Sequence, residues 1–315
     1  MTGPLSRQTL RGPWAALITP WTERDELDEE RFAIEVRSYA STGVGGVYTG
    51  GTTGEFYAQD DRTFRRVTEI ACAEARAAAL PVQIGCTALS TRTVCLRIDA
   101  ALEAGADGIQ VALPFWLKLA DEEVLAFFRG VAAAAGQTPF TLYHTARAKC
   151  TLSPAMIGRL AGEFPTFLGA KETGCDVPTL KAILCEAADL AIFGGDADLI
   201  EKIPAGGKGG YCAFTGLSAR TMVELYEHCA AGRLEQAAPI AEEVTRMRRE
   251  VLGPFHEQGL GDSAVDRVLR TVGGGEVGLN CQGPYVQATA AHVRRLEEWC
   301  RRNARRFLEH RTGWG

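Results

Sequence analysis

The stretch "WAALITPWTERDE" (Trp14–Glu26) decides between two folds. Its first six residues form an apolar run suited to a buried strand, and the polar segment that follows contains no glycine. A doubly wound α/β sheet usually carries a glycine-rich phosphate loop after its first strand. Its absence favours the rival arrangement, a closed parallel barrel. Outward from this stretch, short apolar runs alternate with longer amphipathic ones. The runs are "WAALIT" (14–19), "GGVYTG" (45–50), "PVQIG" (81–85), "DGIQVALP" (107–114), "PFTLY" (139–143), "FLGAK" (167–171), "LAIFGG" (190–195) and "GGYCAF" (209–214). Their spacing of about thirty residues is the size of one βα unit. Eight strands with seven or eight intervening helices predict an α/β protein, a (β/α)₈ barrel spanning residues 1–232.

The intervening segments read as helices. "DDRTFRRVTEIACAEARAAA" sets Phe64, Val67, Ile70 and Ala71 on one face. "STRTVCLRIDAALEAGADG" opens on Ser90 as an N-cap and closes at Gly105. "SPAMIGRLAGEF" has Pro154 directly after Ser153, as a helix start often does. After Gly232 the pattern is helical only, over about 233–253, 261–272 and 285–309. Residues 233–315 are therefore expected to form a helical extension packed on the barrel. The basic run "RRLEEWCRRNARRFLEHR" reads as a solvated helix face.

The chain has 315 residues, 46% hydrophobic and 23% charged, enough to bury a large core. A formal net charge of −5 argues against a nucleic-acid partner, which calls for a basic surface. No apolar run is long enough for a membrane span, and the first residues lack an apolar signal core, so a cytoplasmic protein is expected. The ten cysteines are scattered and form no CxxC pair. They read as reduced, mostly buried small hydrophobes rather than disulfides or a zinc site.

In such a barrel, catalytic groups project from the C-terminal ends of the strands. The sixth run ends in Lys171 and the fifth in Tyr143. By strand parity, Phe167, Gly169 and Lys171 face the interior while Leu168 and Ala170 face the helices. Thr141 and Tyr143 likewise point inward. A lysine in that position is partly removed from water, which favours the free, nucleophilic amine over the ammonium. Such an amine condenses with a ketone to a Schiff base, and a neighbouring phenol can carry protons to and from the carbinolamine. The alternative is a lysine that snorkels to the barrel rim and a tyrosine that fills the core. After the second run, "GGTTGEF" (Gly50–Phe56) exposes backbone N–H groups and two hydroxyls, a suitable nest for a carboxylate. A tight βα turn alone would explain its glycines but not its paired threonines.

Taken together, "GTTGE", a tyrosine ending the fifth strand, "GAKE", then "GGD", "GGKG" and a late "QGPY" (282–285) resemble the dihydrodipicolinate synthase / N-acetylneuraminate lyase family over about Trp14 to Pro284. The resemblance implies a (β/α)₈ barrel with a C-terminal helical extension, assembled as a homotetramer of dimers or as a homodimer. It implies Schiff-base lyase chemistry on a 2-oxo acid, often pyruvate, with an aldehyde as the second small molecule and no metal or organic cofactor. Lys171 matches the Schiff-base lysine and Tyr143 the proton-relay phenol. Thr52 and Thr53, with Gly51, match the carboxylate-binding turn, and Thr52 also matches the relay hydroxyl.

Three departures bear on the substrate. Paired tyrosines after the fourth strand are replaced by Phe115 and Trp116. The arginine expected five residues after Tyr143 is Ala148, flanked by Arg147 and Lys149. Tyr211 stands where a small apolar residue is common. These changes argue against the lysine-pathway synthase, whose semialdehyde carries a carboxylate. With Phe56 they suggest a more aromatic pocket and an aldolase taking a 2-oxo acid and an aldehyde. His144, in place of the usual asparagine, and Arg147 are counted with the substrate-binding candidates, although a histidine there more often bonds the backbone. A sugar-acid dehydratase on the same scaffold, and a binding barrel without turnover, stay open.

Overall fold

In a computed structural model, which describes residues 5–312, the eight apolar runs form a closed barrel of parallel strands in sequential order. They are β1 (Gly12–Ala16), β2 (Gly46–Thr49), β3 (Val82–Gly85), β4 (Gly108–Val111), β5 (Phe140–His144), β6 (Phe167–Glu172), β7 (Ala191–Gly194) and β8 (Gly209–Cys212). Pairing of Trp14 with Tyr211 closes the ring between β1 and β8. The intervening helices are α1 (Glu29–Arg37), α2 (Asp61–Ala77), α3 (Thr91–Ala104), α4 (Asp121–Ala135), α5 (Pro154–Glu163), α6 (Val177–Glu186) and the single turn α7 (Leu199–Lys202). α8 (Thr215–Ala230) completes the outer ring. Two of the expected caps are formed. Ser90 accepts the Thr93 N–H ahead of α3, which ends at Gly105 with φ +83°. Ser153 accepts the Met156 N–H, with Pro154 in the first turn of α5.

The chain continues as α9 (Leu234–Met247), a π-helical turn (Arg248–Leu252), α10 (Gly253–Glu257), α11 (Asp262–Val272), α12 (Ala290–Asn303) and α13 (Arg306–Glu309). On α12, Arg301 pairs with Glu297 and Arg302 with Glu298, so the basic run is a solvated face. Among the described residues, no helix is long and apolar enough to cross a membrane. The cysteines are unpaired and seven of them are buried.

Strand parity fails at one place. Phe167 packs outward against Phe128 of α4 and Phe140, with ring centroids 6.1 and 5.5 Å away. Leu168 instead joins Trp14, Phe193 and Tyr211 inside the barrel. The cause is an irregularity in the pairing with β5, which steps from Phe140↔Phe167 to Thr141↔Gly169 and so inserts one residue. The alternation resumes beyond it: Ala170 packs outward and Lys171 inward. At Gly169 a Cβ atom would lie 1.9 Å from the Ala191 carbonyl oxygen of β7. Close approach of β7, rather than room for the lysine, requires the glycine. Below the mouth, Tyr211 Oη donates to Gln83 Oε1 at 2.7 Å, and the Thr141 hydroxyl donates to the same oxygen at 3.3 Å. This layer forms a polar floor.

α11 is buried on nearly every side and carries two guanidinium groups into the protein. Arg267 is fully buried and donates to Glu55, to the Thr19 carbonyl at 2.7 Å and to the Val277 carbonyl at 3.2 Å. Arg270 donates to Glu35 Oε2 of α1 at 2.6 Å and to the Ser38 hydroxyl at 2.8 Å. Each pair joins the C-terminal helices to the barrel. Removing one partner strands a buried charge, so Arg267→Met is expected to lower unfolding stability by about 3–5 kcal/mol. Glu55→Gln combined with Arg267→Met should recover part of that loss. Denaturant unfolding of the two variants checks it, and a double variant no more stable than the single one would contradict the assignment.

Candidate active site

The site starts at the turn after β2. Gly50 has φ +70°, and a Cβ there would lie 2.2 Å from the Gly85 carbonyl oxygen at the end of β3. Only glycine fits, and the chain turns at once into Gly51–Gly54. Glu55 then adopts φ +55°, a left-handed conformation that costs a non-glycine residue roughly 1 kcal/mol. Its side chain explains why the conformation is held. Oε2 accepts from Trp21 Nε1 at 2.5 Å and from Arg267, and Oε1 accepts the Gln282 N–H at 3.1 Å. The glutamate of "GTTGE" is thus a buried anchor that holds the two threonines over the barrel.

Lys171 lies in a cavity of about 350 Å³ at the mouth of the barrel, lined also by Thr52, Thr53, Tyr143, Tyr48 and Tyr211. Its ammonium nitrogen is 4.6 Å from the ring centroid of Tyr143, 5.8 Å from that of Tyr48 and 5.9 Å from that of Tyr211. The Tyr143 and Thr52 hydroxyls are 3.3 Å apart and either can be the donor. A lysine, a phenol and a hydroxyl therefore meet in one place from β6, β5 and the turn after β2. Burial pushes the Tyr211 hydroxyl up to about 12, and burial together with the neighbouring Tyr143 raises that of Tyr48 well above its usual range. Both remain neutral walls around Lys171.

The C-terminal helices close this cavity from above with groups the sequence reading did not select. Asp262 and Asp266 project from successive turns of α11, and Arg248 and His256 line the rim. Thr53 does not hold its hydroxyl free: Oγ1 donates to Asp266 Oδ2 at 2.7 Å. Asp266 is buried, and burial is the main reason its carboxyl is pushed up to about 7. Nearby Asp262 and Asp196 add to the shift, while Thr53 and Lys171 oppose it. Helical patterning hides such a residue. With Val265, Val268, Leu269 and Val272 making one stripe, Asp266 reads as the solvent face of an amphipathic helix. The one available signal was the pair of arginines on the same helix, each needing a buried acid.

A second lobe, of about 300 Å³, adjoins the first and shares Thr52, Tyr143, Arg147 and Asp262 with it. Its walls are largely apolar: Phe56, Tyr57, Leu113, Phe115, Ala148 and Tyr285 all contribute. Phe56 meets Tyr57 and Phe115 edge-on, at 5.7 and 6.3 Å between centroids. Arg147 stands where the lobes meet, with Nη2 2.8 Å from Asp262 Oδ2.

Three of the substrate-binding candidates lie elsewhere. His144 follows Tyr143 on the strand and so faces the opposite side of β5. Its Nε2 accepts the Leu152 N–H at 2.9 Å, which leaves Nδ1 to donate to Glu172 Oε2 at 2.8 Å. It belongs to a separate cavity behind the barrel wall. Trp116 is 73% exposed and lines neither lobe. Lys149 donates to its carbonyl at 3.2 Å and sits over its ring. Gly51 is buried within the turn, beside the Tyr48 ring, and lines neither lobe.

A parallel barrel with a lysine and a phenol at the C-terminal ends of adjacent strands defines a class of protein, and comparison with known proteins agrees. The sequence profile described as the Dihydrodipicolinate synthetase family matches residues 9–298, and the chain belongs to that family. It is 30% identical over 244 residues to 4-hydroxy-tetrahydrodipicolinate synthase of Methanopyrus kandleri, covering 76% of this chain and 81% of that protein. Identity to the protein of the same name from Thermus thermophilus is 31% over 230 residues, 72% and 76% of the two chains. Among solved structures, YagE, a prophage protein of E. coli K12 in complex with pyruvate, superposes with a TM-score of 0.85 at 21% identity. That match covers 96% of this chain and 99% of the other. CdNal from Clostridium difficile, in complex with mannosamine, gives 0.84 at 20% identity over 93% and 99%. These two likenesses establish the shared fold.

The Asp266 carboxyl generates a stability prediction. The native group holds its proton up to about pH 7, whereas the unfolded chain releases it near about pH 4. Between those limits unfolding releases a proton, so stability falls as pH rises through the window. Asp266→Asn has no proton to lose. It is expected to raise the melting temperature at pH 8, with a gain at pH 5 only about a third as large. An equal gain at both pH values in a thermal scan would contradict the assignment.

Proposed function

We propose that the chain is a Schiff-base lyase of the aldolase type, joining or cleaving a 2-oxo acid, pyruvate first among them, and an uncharged aldehyde. The observation that carries the reading is the meeting of Lys171, Tyr143 and Thr52 in one cavity, with the two hydroxyls 3.3 Å apart. The lysine amine adds to the ketone carbon of the 2-oxo acid, and the resulting carbinolamine loses water to leave an iminium. The iminium withdraws electrons, so a proton leaves the adjacent carbon and an enamine forms. The enamine carbon attacks the aldehyde, and the new alkoxide takes up a proton. Water then adds to the iminium and releases the product and the free amine. Tyr143, with Thr52 as its partner, serves as the proton carrier at the carbinolamine and alkoxide steps. The backbone N–H groups of Thr52 and Thr53 receive the carboxylate of the 2-oxo acid. The chemistry calls on no metal or organic cofactor.

The second lobe supports the nature of the aldehyde. It is largely apolar, and the one cation among its described lining residues, Arg147, is already engaged by Asp262. Ala148 stands where the family resemblance places an arginine. A carboxylate on the aldehyde would thus meet no uncommitted cation in this lobe, whereas an aryl or alkyl group would fill it. The reading therefore departs from the synthase activity that names the curated relatives. Assembly into a homodimer or homotetramer is part of the proposal, since exposed Trp116 and Leu117 offer an apolar surface.

A panel of aldehydes with pyruvate tests the reading. Condensation is expected with aryl and medium-chain alkyl aldehydes at a kcat/KM well above that for aspartate semialdehyde. Tyr143→Phe should lower kcat by about 10²–10⁴-fold. Turnover of sugar acids alone would replace the aldolase by a dehydratase, and efficient use of aspartate semialdehyde would return the chain to the activity of its named relatives.

A further inference from the structure

The cavity around Lys171 contains a feature at odds with simple anion binding. The turn proposed to receive a substrate carboxylate already has a protein carboxyl against it, since Thr53 Oγ1 donates to Asp266 Oδ2 at 2.7 Å. Nearby acids are differently placed. Buried Glu55 and Glu35 each face a guanidinium, buried Asp196 accepts the Phe214 N–H at 2.9 Å, and part-exposed Asp262 faces Arg147. Asp266 forms no ion pair among the described residues, and its second oxygen accepts no hydrogen bond there. A carboxyl that is buried, has one oxygen held by a hydroxyl and lines a cavity has its other oxygen available to a ligand.

The surrounding charges do not neutralise it. Lys171 faces the same cavity from β6, and the phenols of Tyr48 and Tyr39 approach from β2 and the turn after α1. Asp196 lies beyond β7, 4.0 Å from Arg248 of the π-helical turn. His256 of α10 lines the rim, and its Nδ1 donates to the Leu260 carbonyl at 2.9 Å. Arg147, after β5, is taken by Asp262. An ionised Asp266 would repel an incoming carboxylate. A protonated one would present an O–H to it, and a carboxyl–carboxylate hydrogen bond between an acid and an anion is of the strong, charge-assisted kind. Burial, which holds this carboxyl at about 7, makes the protonated form accessible at neutral pH.

We propose that Asp266 recognises the carboxylate of the 2-oxo acid in its protonated form, donating a hydrogen bond to the substrate while accepting one from Thr53, so that the anion and one proton bind together. The inference rests on the Schiff-base reading of the same cavity and adds to it a protein carboxyl that touches the substrate. Asparagine reproduces the protonated acid: its oxygen accepts from Thr53 and its NH₂ donates to the substrate at every pH.

The test is calorimetric titration of pyruvate into the wild-type chain and Asp266→Asn between pH 6 and 9, in buffers of differing ionisation heat. Both should bind similarly at pH 6. Above about pH 7 the wild-type Kd should rise about tenfold per pH unit relative to the variant, reaching a ratio of about 100 at pH 9. At pH 8 the wild type should take up about one proton more per pyruvate than the variant. A ratio that stays flat overturns the proposal, as does an asparagine variant that folds but binds far more weakly at pH 6. Should the variant fail to fold, wild-type proton uptake decides: it must rise by nearly one proton per pyruvate between about pH 6 and 8, and an uptake that does not rise overturns the proposal. Borohydride added to each mixture separates the two claims. Binding without a reducible adduct removes the Schiff-base reading and leaves the ratio to judge Asp266, whereas no binding of any 2-oxo acid at any pH overturns both.

Discussion

The buried pair of Arg267 and Glu55 is the constraint on which the site depends. Glu55 sits in a left-handed conformation at the end of the threonine turn, and Arg267 sits in the middle of α11. Two ions taken out of water cost several kcal/mol each, recovered only when their geometry and remaining hydrogen bonds are good. Here the Trp21 N–H, the Gln282 N–H and two backbone carbonyls supply most of them, with Arg267 Nε alone of the pair's polar atoms left without a partner among the described residues. The pair also fixes a register. With Arg267 held, its neighbour Asp266 meets Thr53, and Asp262, one turn earlier, meets Arg147. A helix outside the barrel thereby supplies part of the wall of the cavity that holds Lys171.

That arrangement divides the mouth into two chemistries. On the Lys171 side the walls are phenols and acids over a polar floor, suited to an anion that becomes covalently held. On the other side the walls are Phe56, Phe115 and Tyr57, and the nearest guanidinium is neutralised. Charge compensation, rather than cavity size, is what separates the lobes. Among the described residues, Glu35, Glu55 and Asp262 have cationic partners, and Asp266 does not. The acid without a partner is the one beside the proposed carboxylate site.

Much of this was legible in the sequence for a physical reason. A parallel strand covered on both faces needs a continuous apolar run, and each of the eight runs became a strand. Lys171 and Tyr143 stood out because a charge or a phenol at the end of such a run must be accounted for. Two kinds of information were hidden. The extra residue at Leu168–Gly169 inverted the faces of Phe167 and Leu168, since parity arguments assume an unbroken ladder. Asp262 and Asp266 were invisible because α11 is polar by composition yet buried on nearly every side, which depends on Glu35 and Glu55, more than 200 residues earlier in the chain. His144 shows the converse. Parity alone turns it away from the mouth, and its replacement of a familiar asparagine drew notice that its position does not repay.

The central claim is that the amine of Lys171 bonds covalently to a 2-oxo acid. Borohydride reduction in the presence of pyruvate, followed by peptide mass mapping, tests it most directly. The account predicts a single irreversible adduct on the peptide containing Lys171, absent from Lys171→Ala. A chain that binds pyruvate and remains unmodified, or one modified equally on surface lysines and in Lys171→Ala, would contradict it.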